Sequence, residues 1–264
     1  MSFLIIQTAF IGDVILATPV LEKIHQYFPD ASIDFLVRKG NESLLDNHPF
    51  LRRVLVWDKR RQKYPHLWQL LRDIRSQQYT YVVNLQRFTA SGLLTAFSGA
   101  PHRIGFDKNP LWWRFTHHVP HHIASTGAAD LLNIEKGFRQ MTEASGAQQY
   151  VHEVDRNLSL IAHLTDNQRL RPRLYPDEKV FDRLSIVDDY YCVAPTSVWF
   201  TKQWPSGKWV ELLNAFDESH KDKTIYLLGA PADRAACDQI MQASKNKQII
   251  NLAGQLNLLE SAAL

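Results

Sequence analysis

Short apolar runs alternate along this chain with segments whose apolar positions fall near helical spacing. The first run, Phe3–Thr8, predicts a buried strand. The next segment carries Val14, Leu16, Ala17, Val20, Leu21, Ile24 and Phe28 on one face, predicting a helix over Val14–Phe28 that Pro29 stops. Further strands are expected at Ser32–Val37, Arg53–Trp57, Tyr79–Leu85 and His102–Phe106, and helices at Glu42–Asn47, His66–Ser76, Ala90–Phe97 and Ala128–Ala144. Asn109–Thr126 is aromatic, basic and His-rich without a period, and reads as a loop. Gln168–Asp189 is polar and holds Pro172 and Pro176, as a linker does. The alternation then restarts: strands at Tyr190–Ala194, Thr224–Leu228 and Gln248–Leu252, helices at Ser206–Phe216 and Ala232–Ala243, and the start of another at Asn257–Leu264.

This order of βα units predicts an α/β protein of two Rossmann-like domains. The expected division is residues 1–170, a linker over 171–189, and a second domain over 190–264 that three strands and an unfinished helix leave incomplete. A length of 264 residues suits two such domains, and 45% hydrophobic with 22% charged residues suits a water-soluble chain. No apolar run approaches the ~20 residues needed to span a bilayer, and the N-terminus lacks signal-peptide features, so residence in the cytoplasm is the expectation. Cys192 and Cys237, the only two cysteines, are expected as reduced and mostly buried thiols. A formal charge of +3 is too small to argue for nucleic acid.

Two stretches carry candidate chemistry. In Ile11-Gly12-Asp13-Val14 a glycine permits a tight turn and an Asp stands where a helix should begin, at the carboxyl end of the first strand. Open α/β sheets bind ligands there, although a plain N-cap explains Asp13 equally well. In Ala194-Pro195-Thr196-Ser197 and Lys202-Gln203-Trp204-Pro205, hydroxyls and an ammonium precede a helix N-terminus, where an anion is favoured. A polar loop with a surface lysine is the plain alternative, since neither nucleotide-binding glycine fingerprint is present.

Together with Leu227-Leu228-Gly229-Ala230-Pro231, Asp233 and Asn251-Leu252-Ala253-Gly254, these motifs resemble, in the same order, those of the lipopolysaccharide heptosyltransferases, glycosyltransferase family nine. The resemblance implies the two-domain GT-B arrangement, with acceptor on the first domain and nucleotide sugar on the second, and no cofactor or metal. It implies an inverting transfer of a heptose or related sugar from a nucleoside diphosphate, ADP-heptose foremost, to an anionic lipopolysaccharide-core acceptor. By position Asp13 resembles the catalytic base and Lys202 the charge on the leaving diphosphate. Thr196 and Ser197 match hydroxyls on the phosphates, and Asp233 a ribose ligand. Gly12 and Gly229 match points of close substrate approach. A further diphosphate motif of the family would fall beyond Leu264, and without it a non-catalytic glycan-binding relative is the alternative.

Arg60 and Arg61, in the run Lys59–Lys63, are candidates for the anionic acceptor with Arg103, Arg87 and Lys108; a solvated loop is the plain reading. Leu111–Phe115 suits either packing or contact with the inner membrane surface. His117, His118, His121 and His122 lack ligand spacing for a metal and offer contacts to the acceptor instead. A dinucleotide-dependent oxidoreductase is disfavoured, because the first strand–helix turn has one glycine where that fingerprint needs three.

Overall fold

The computed structural model describes residues 1–59, 63–121, 151–177, 179–184, 186, 189–219 and 223–264. The chain divides into two compact units, Met1–Glu42 with His48–Leu174, and Ser43–Asn47 with Tyr175–Leu264.

The first unit is built on a parallel sheet of β1 (Ser2–Ile6), β2 (Ser32–Arg38), β3 (Leu51–Trp57), β4 (Tyr81–Asn84), β5 (His102–Phe106) and β6 (His117–Val119), in the order β3-β2-β1-β4-β5-β6. Phe3, Leu4, Ile5 and Ile6 are fully buried, because a central parallel strand is covered on both faces and so reads as a continuous apolar run. Helices α1 (Ile11–Ile15), α2 (Thr18–Tyr27), α3 (Lys63–Ser76), α4 (Thr89–Ala96) and α5 (Glu153–Ser159) accompany the sheet. Chain order reverses between β1 and β4, the switch point at which such sheets open a crevice at their carboxyl ends.

The helix expected over Val14–Phe28 is two helices. Pro19 lies in the first turn of α2, where its missing N–H costs nothing, and the Thr18 hydroxyl donates to the Ile15 carbonyl at 2.8 Å to cover the break. The segment Glu42–Leu45 forms a 3₁₀ turn. Strand β6 lies inside the region read as a loop; three residues are too few to show a period. Helix α5 follows no expectation from the sequence, and its cap is the imidazole of His152, whose Nδ1 accepts the Val154 N–H at 3.1 Å. The helix expected over Ala128–Ala144 lies outside the described residues.

Two buried charges organise this unit. Asp34, fully buried on β2, accepts Arg52 Nε at 2.8 Å and Nη2 at 2.7 Å, Arg53 Nε at 2.8 Å and the Tyr79 hydroxyl. Burial pushes its carboxyl up, but the hydrogen bonds from Arg52, Tyr79 and Arg53 outweigh that and hold it below the usual range. Lys23 on α2, also fully buried, donates to the Asp166 carboxylate and the Gln168 carbonyl.

His48, 6% exposed, is held down to about 4 by burial and by the nearby Arg173 and His25. The Glu22 carboxylate, 3.5 Å away, does not reverse this. The unfolded chain therefore binds a proton near pH 6.5 that the folded chain refuses. Stability is expected to be complete above pH 6.5 and to fall between 6.5 and about 4, by about 3 kcal/mol at the lower end. Urea midpoints measured across that window check this; a flat profile in wild type, or an unchanged slope in His48→Gln, counts against it.

The second unit holds a parallel sheet of β7 (Tyr190–Val193), β8 (Thr224–Leu227) and β9 (Ile249–Asn251) in sequential order. Its helices are α6 (Lys179–Leu184), α7 (Ser206–Ser219), α8 (Arg234–Ala243) and α9 (Leu258–Ala263). Its core gathers Leu213, Ile225, Leu227, Cys237, Ile240 and Ile249. Helix α6 falls inside the segment read as linker. Both thiols are free; Cys237 is buried as expected, whereas Cys192 is exposed, because β7 leaves one face uncovered at that position.

Candidate active site

A cleft of about 310 Å³ opens at the switch point of the first sheet, between the segments leaving β1 and β4. Asp13 lines it, but not as the helix cap. Phe10 occupies that position, and Asp13 lies one turn on, where its Oδ2 accepts the Phe10 N–H at 3.1 Å. Oδ1 has no partner among the described residues. One carboxylate oxygen is thus fixed to the backbone, and the other can still accept a hydrogen bond. Gly12 differs from expectation too: it lies inside α1, and an added Cβ would meet nothing within 4 Å, so no turn there demands a glycine.

The cleft is rich in cations. Arg38 ends β2, with its guanidinium 4.9 Å from the Phe10 ring centre. The Lys59 ammonium donates to the Thr8 carbonyl at 2.7 Å. Arg87 follows β4, and Arg156 on α5 pairs with Glu153. Four cations against two carboxylates make the cleft attractive to an anion. His121 lines it as well; burial, with Arg156 and Arg87 beside it, pushes its imidazole down to about 4, so it is neutral at pH 7. His117 stacks on His163 at 3.7 Å, and His118 meets the Trp112 ring edge at 4.9 Å, so neither joins it. His122, Arg60 and Arg61 lie outside the described residues.

Arg103 is placed elsewhere. It is level with Leu4, within the sheet rather than beyond its carboxyl end, and its guanidinium donates to the carbonyls of Ala100 and Arg114. It therefore braces the turn around β5 and does not reach the cleft. The residues that sequence reasoning missed are Arg38 and Arg156. A basic residue ending an apolar strand was a readable sign of the first; nothing local marks the second.

One wall of the cleft is clamped from behind. Asn109 Nδ2 donates to the carbonyls of Gln86 and Phe88 at 3.1 and 3.2 Å. Its carboxamide sits so close to Gly92 that a Cβ there would lie 2.2 Å from Oδ1.

In the second unit the loops after β7 and β8 are neighbours, joined by the Leu228 N–H donating to the Val193 carbonyl at 2.8 Å. The first loop carries Thr196, Ser197 and Lys202. Ser197 shapes it: its hydroxyl accepts the Trp199 N–H at 3.2 Å and its carbonyl accepts Gln203 Nε2 at 2.6 Å. Lys202 ends a 3₁₀ turn, exposed, with no ammonium partner among the described residues. In the second loop Asp233 Oδ2 accepts the Ala230 N–H at 2.8 Å. A Cβ on Gly229 would lie 2.9 Å from that of Asp233, so the glycine is what lets this carboxylate fold back. Gly254, at φ +75°, closes against Pro231 and donates to the Gly229 carbonyl at 2.9 Å, which joins the two last motifs into one structure.

Two α/β units, each built on a parallel sheet, place the chain in the GT-B fold class. The sequence profile of Glycosyltransferase family 9 (heptosyltransferase) matches residues 67–264. Lipopolysaccharide heptosyltransferase 3 of Escherichia coli K12 is 25% identical over 271 residues, covering 96% of this chain and 71% of that protein. The family 9 glycosyltransferase of Veillonella parvula superposes with a TM-score of 0.79 at 17% identity, over 99% of this chain and 72% of that one. An E. coli heptosyltransferase solved with ADP-2-deoxy-2-fluoro heptose does so at 0.69 and 18%, over 99% and 79%. The chain belongs to glycosyltransferase family 9 and is a glycosyltransferase.

Proposed function

We propose that this enzyme transfers a heptose from ADP-heptose to an anionic lipopolysaccharide-core acceptor with inversion at the anomeric carbon. The observation that carries the reading is the Asp13 carboxylate, held by one oxygen in a cleft rich in cations. Asp13 takes the proton of an acceptor hydroxyl as its oxygen attacks the anomeric carbon. The bond from that carbon to the diphosphate oxygen breaks, and its electron pair leaves on ADP. Lys202 neutralises the charge that develops there, a contribution that is usually the largest in such a step. Thr196 and Ser197 donate to the phosphates, Asp233 accepts from the ribose, and Gly229 leaves room beneath the nucleotide. Arg38, Lys59, Arg87 and Arg156, with Arg60 and Arg61, hold acidic groups of the acceptor.

The heptosyltransferase solved with an ADP-heptose analogue supports the choice of donor. Among the described residues no helix is long and apolar enough to cross a membrane. The reading includes a cytoplasmic location with peripheral contact at the inner membrane surface. The exposed Trp113 and the Arg114 guanidinium, 5.5 Å from its ring, suit that contact, while Phe115 is buried in the domain.

Titration calorimetry tests the donor side. Lys202→Ala is expected to weaken ADP binding about tenfold to a hundredfold; unchanged affinity removes Lys202 from the donor site. Mass spectrometry of core oligosaccharide incubated with ADP-heptose tests the transfer itself, and ADP binding without any product favours the non-catalytic reading.

A further inference from the structure

A second cleft, of about 550 Å³, adjoins the first and shares Thr8, Lys59, Gln86 and Phe88 with it. Its rim is aromatic. Tyr64 and Trp68, four residues apart and so on one side of α3, are 67% and 64% exposed, and Phe88, ahead of α4, is 61% exposed. Large rings left this open cost hydration free energy unless a ligand covers them. Its floor is polar. The Gln86 amide, 4% exposed, accepts the Thr8 hydroxyl at 2.8 Å through Oε1, while Nε2 has no partner among the described residues. The indole Nε1 of Trp57, 2% exposed, lacks one as well. An unmet buried donor costs about 1–3 kcal/mol, so oxygen acceptors are wanted here.

We propose that this cleft is a sugar subsite: it holds the residue next to the reacting one along the acceptor, stacked on Trp68 and Tyr64 with its hydroxyls toward Gln86 and Trp57. A pyranose presents C–H groups on its face and oxygens on its edge, so it meets an aromatic rim and a polar floor together. An acyl chain would strip water from Thr8, Gln86 and Lys59 without replacing it. The Lys59 ammonium, 4.8 Å from the Trp57 ring centre, stands at the junction of the clefts, where it can hold an acidic group between the two sugars. The enzyme then selects its acceptor by reading two sugars. This inference rests on the reading of the Asp13 cleft as the acceptor site.

The test compares binding of a heptosyl-heptose disaccharide and of heptose, both free of lipid, by calorimetry on the whole protein. Wild type is expected to bind the disaccharide more tightly. Trp68→Ala and Tyr64→Ala are each expected to weaken the disaccharide about five- to tenfold and leave heptose unchanged, and Trp68→Phe to recover most of the loss. Because both side chains are largely exposed, folding is preserved, which circular dichroism checks. Equal wild-type affinities, equal losses for both sugars, or a loss confined to acylated acceptor in vesicles each overturns the subsite. Failure of the underlying reading looks different: the disaccharide preference persists, but Asp13→Asn leaves turnover intact.

Discussion

Asp13→Asn is expected to lower turnover about 10²–10⁴-fold, the contribution of a positioned general base. Asparagine has nearly the same shape, and its carbonyl oxygen can still accept the Phe10 N–H, so α1 keeps its local hydrogen bond. What is lost is the ability to take a proton. ADP affinity should be unchanged, since the residues proposed to bind the donor lie in the second unit. Steady-state kinetics with ADP-heptose, paired with ADP titration, separates the two effects. Turnover within tenfold of wild type, or a large loss of ADP binding, would rule out the role of base.

The largest expected effect on stability belongs to a residue far from any chemistry. Asp34→Ala leaves the cationic heads of Arg52 and Arg53 and the hydroxyl of Tyr79 facing an empty site beneath β2 and β3. Removing one partner of a buried ion pair typically costs 3–5 kcal/mol. Here the arginine side chains are 42% and 39% exposed and can turn toward water, so about 2–4 kcal/mol is expected. Tyr79, whose hydroxyl burial alone keeps protonated, is then left with an unmet donor. Urea unfolding reads the loss directly. A change below about 1 kcal/mol would mean that the cluster relaxes freely into solvent.

The apolar run Phe3–Thr8 announced a buried strand, because a central parallel strand has no wet face to interrupt it. That Asp13 lines a cleft was legible for the same reason: the carboxyl end of that strand is where such sheets open. Its local role was not legible. Whether an acid near a helix start is the cap or the residue reaching back to it depends on one turn of backbone, and hydrophobic spacing does not resolve that. The break at Pro19 was hidden because the apolar positions continue in phase across it. The place of Arg103 was not legible, since charge in a sequence carries no address; the register of β5 sets it within the sheet, and its bonds to the Ala100 and Arg114 carbonyls hold it away from the cleft. Arg156 enters the cleft from residues far along the chain, a pairing no local pattern encodes. In the second unit spacing places Thr196, Ser197 and Lys202 ahead of a helix, and the backbone adds what spacing does not show, a turn shaped by Ser197 and a 3₁₀ turn that Lys202 ends.

The notch at position 92 has a consequence for how this enzyme can diversify. Tyr64, Trp68 and Phe88 stand in solvent, and a lineage can exchange them one at a time without disturbing the interior. Asn109 and its facing glycine have no such freedom, because any methyl at 92 evicts the carboxamide that positions the main chain of both clefts. New acceptor preferences should therefore arise by repainting the rim while the bracket behind it stays fixed.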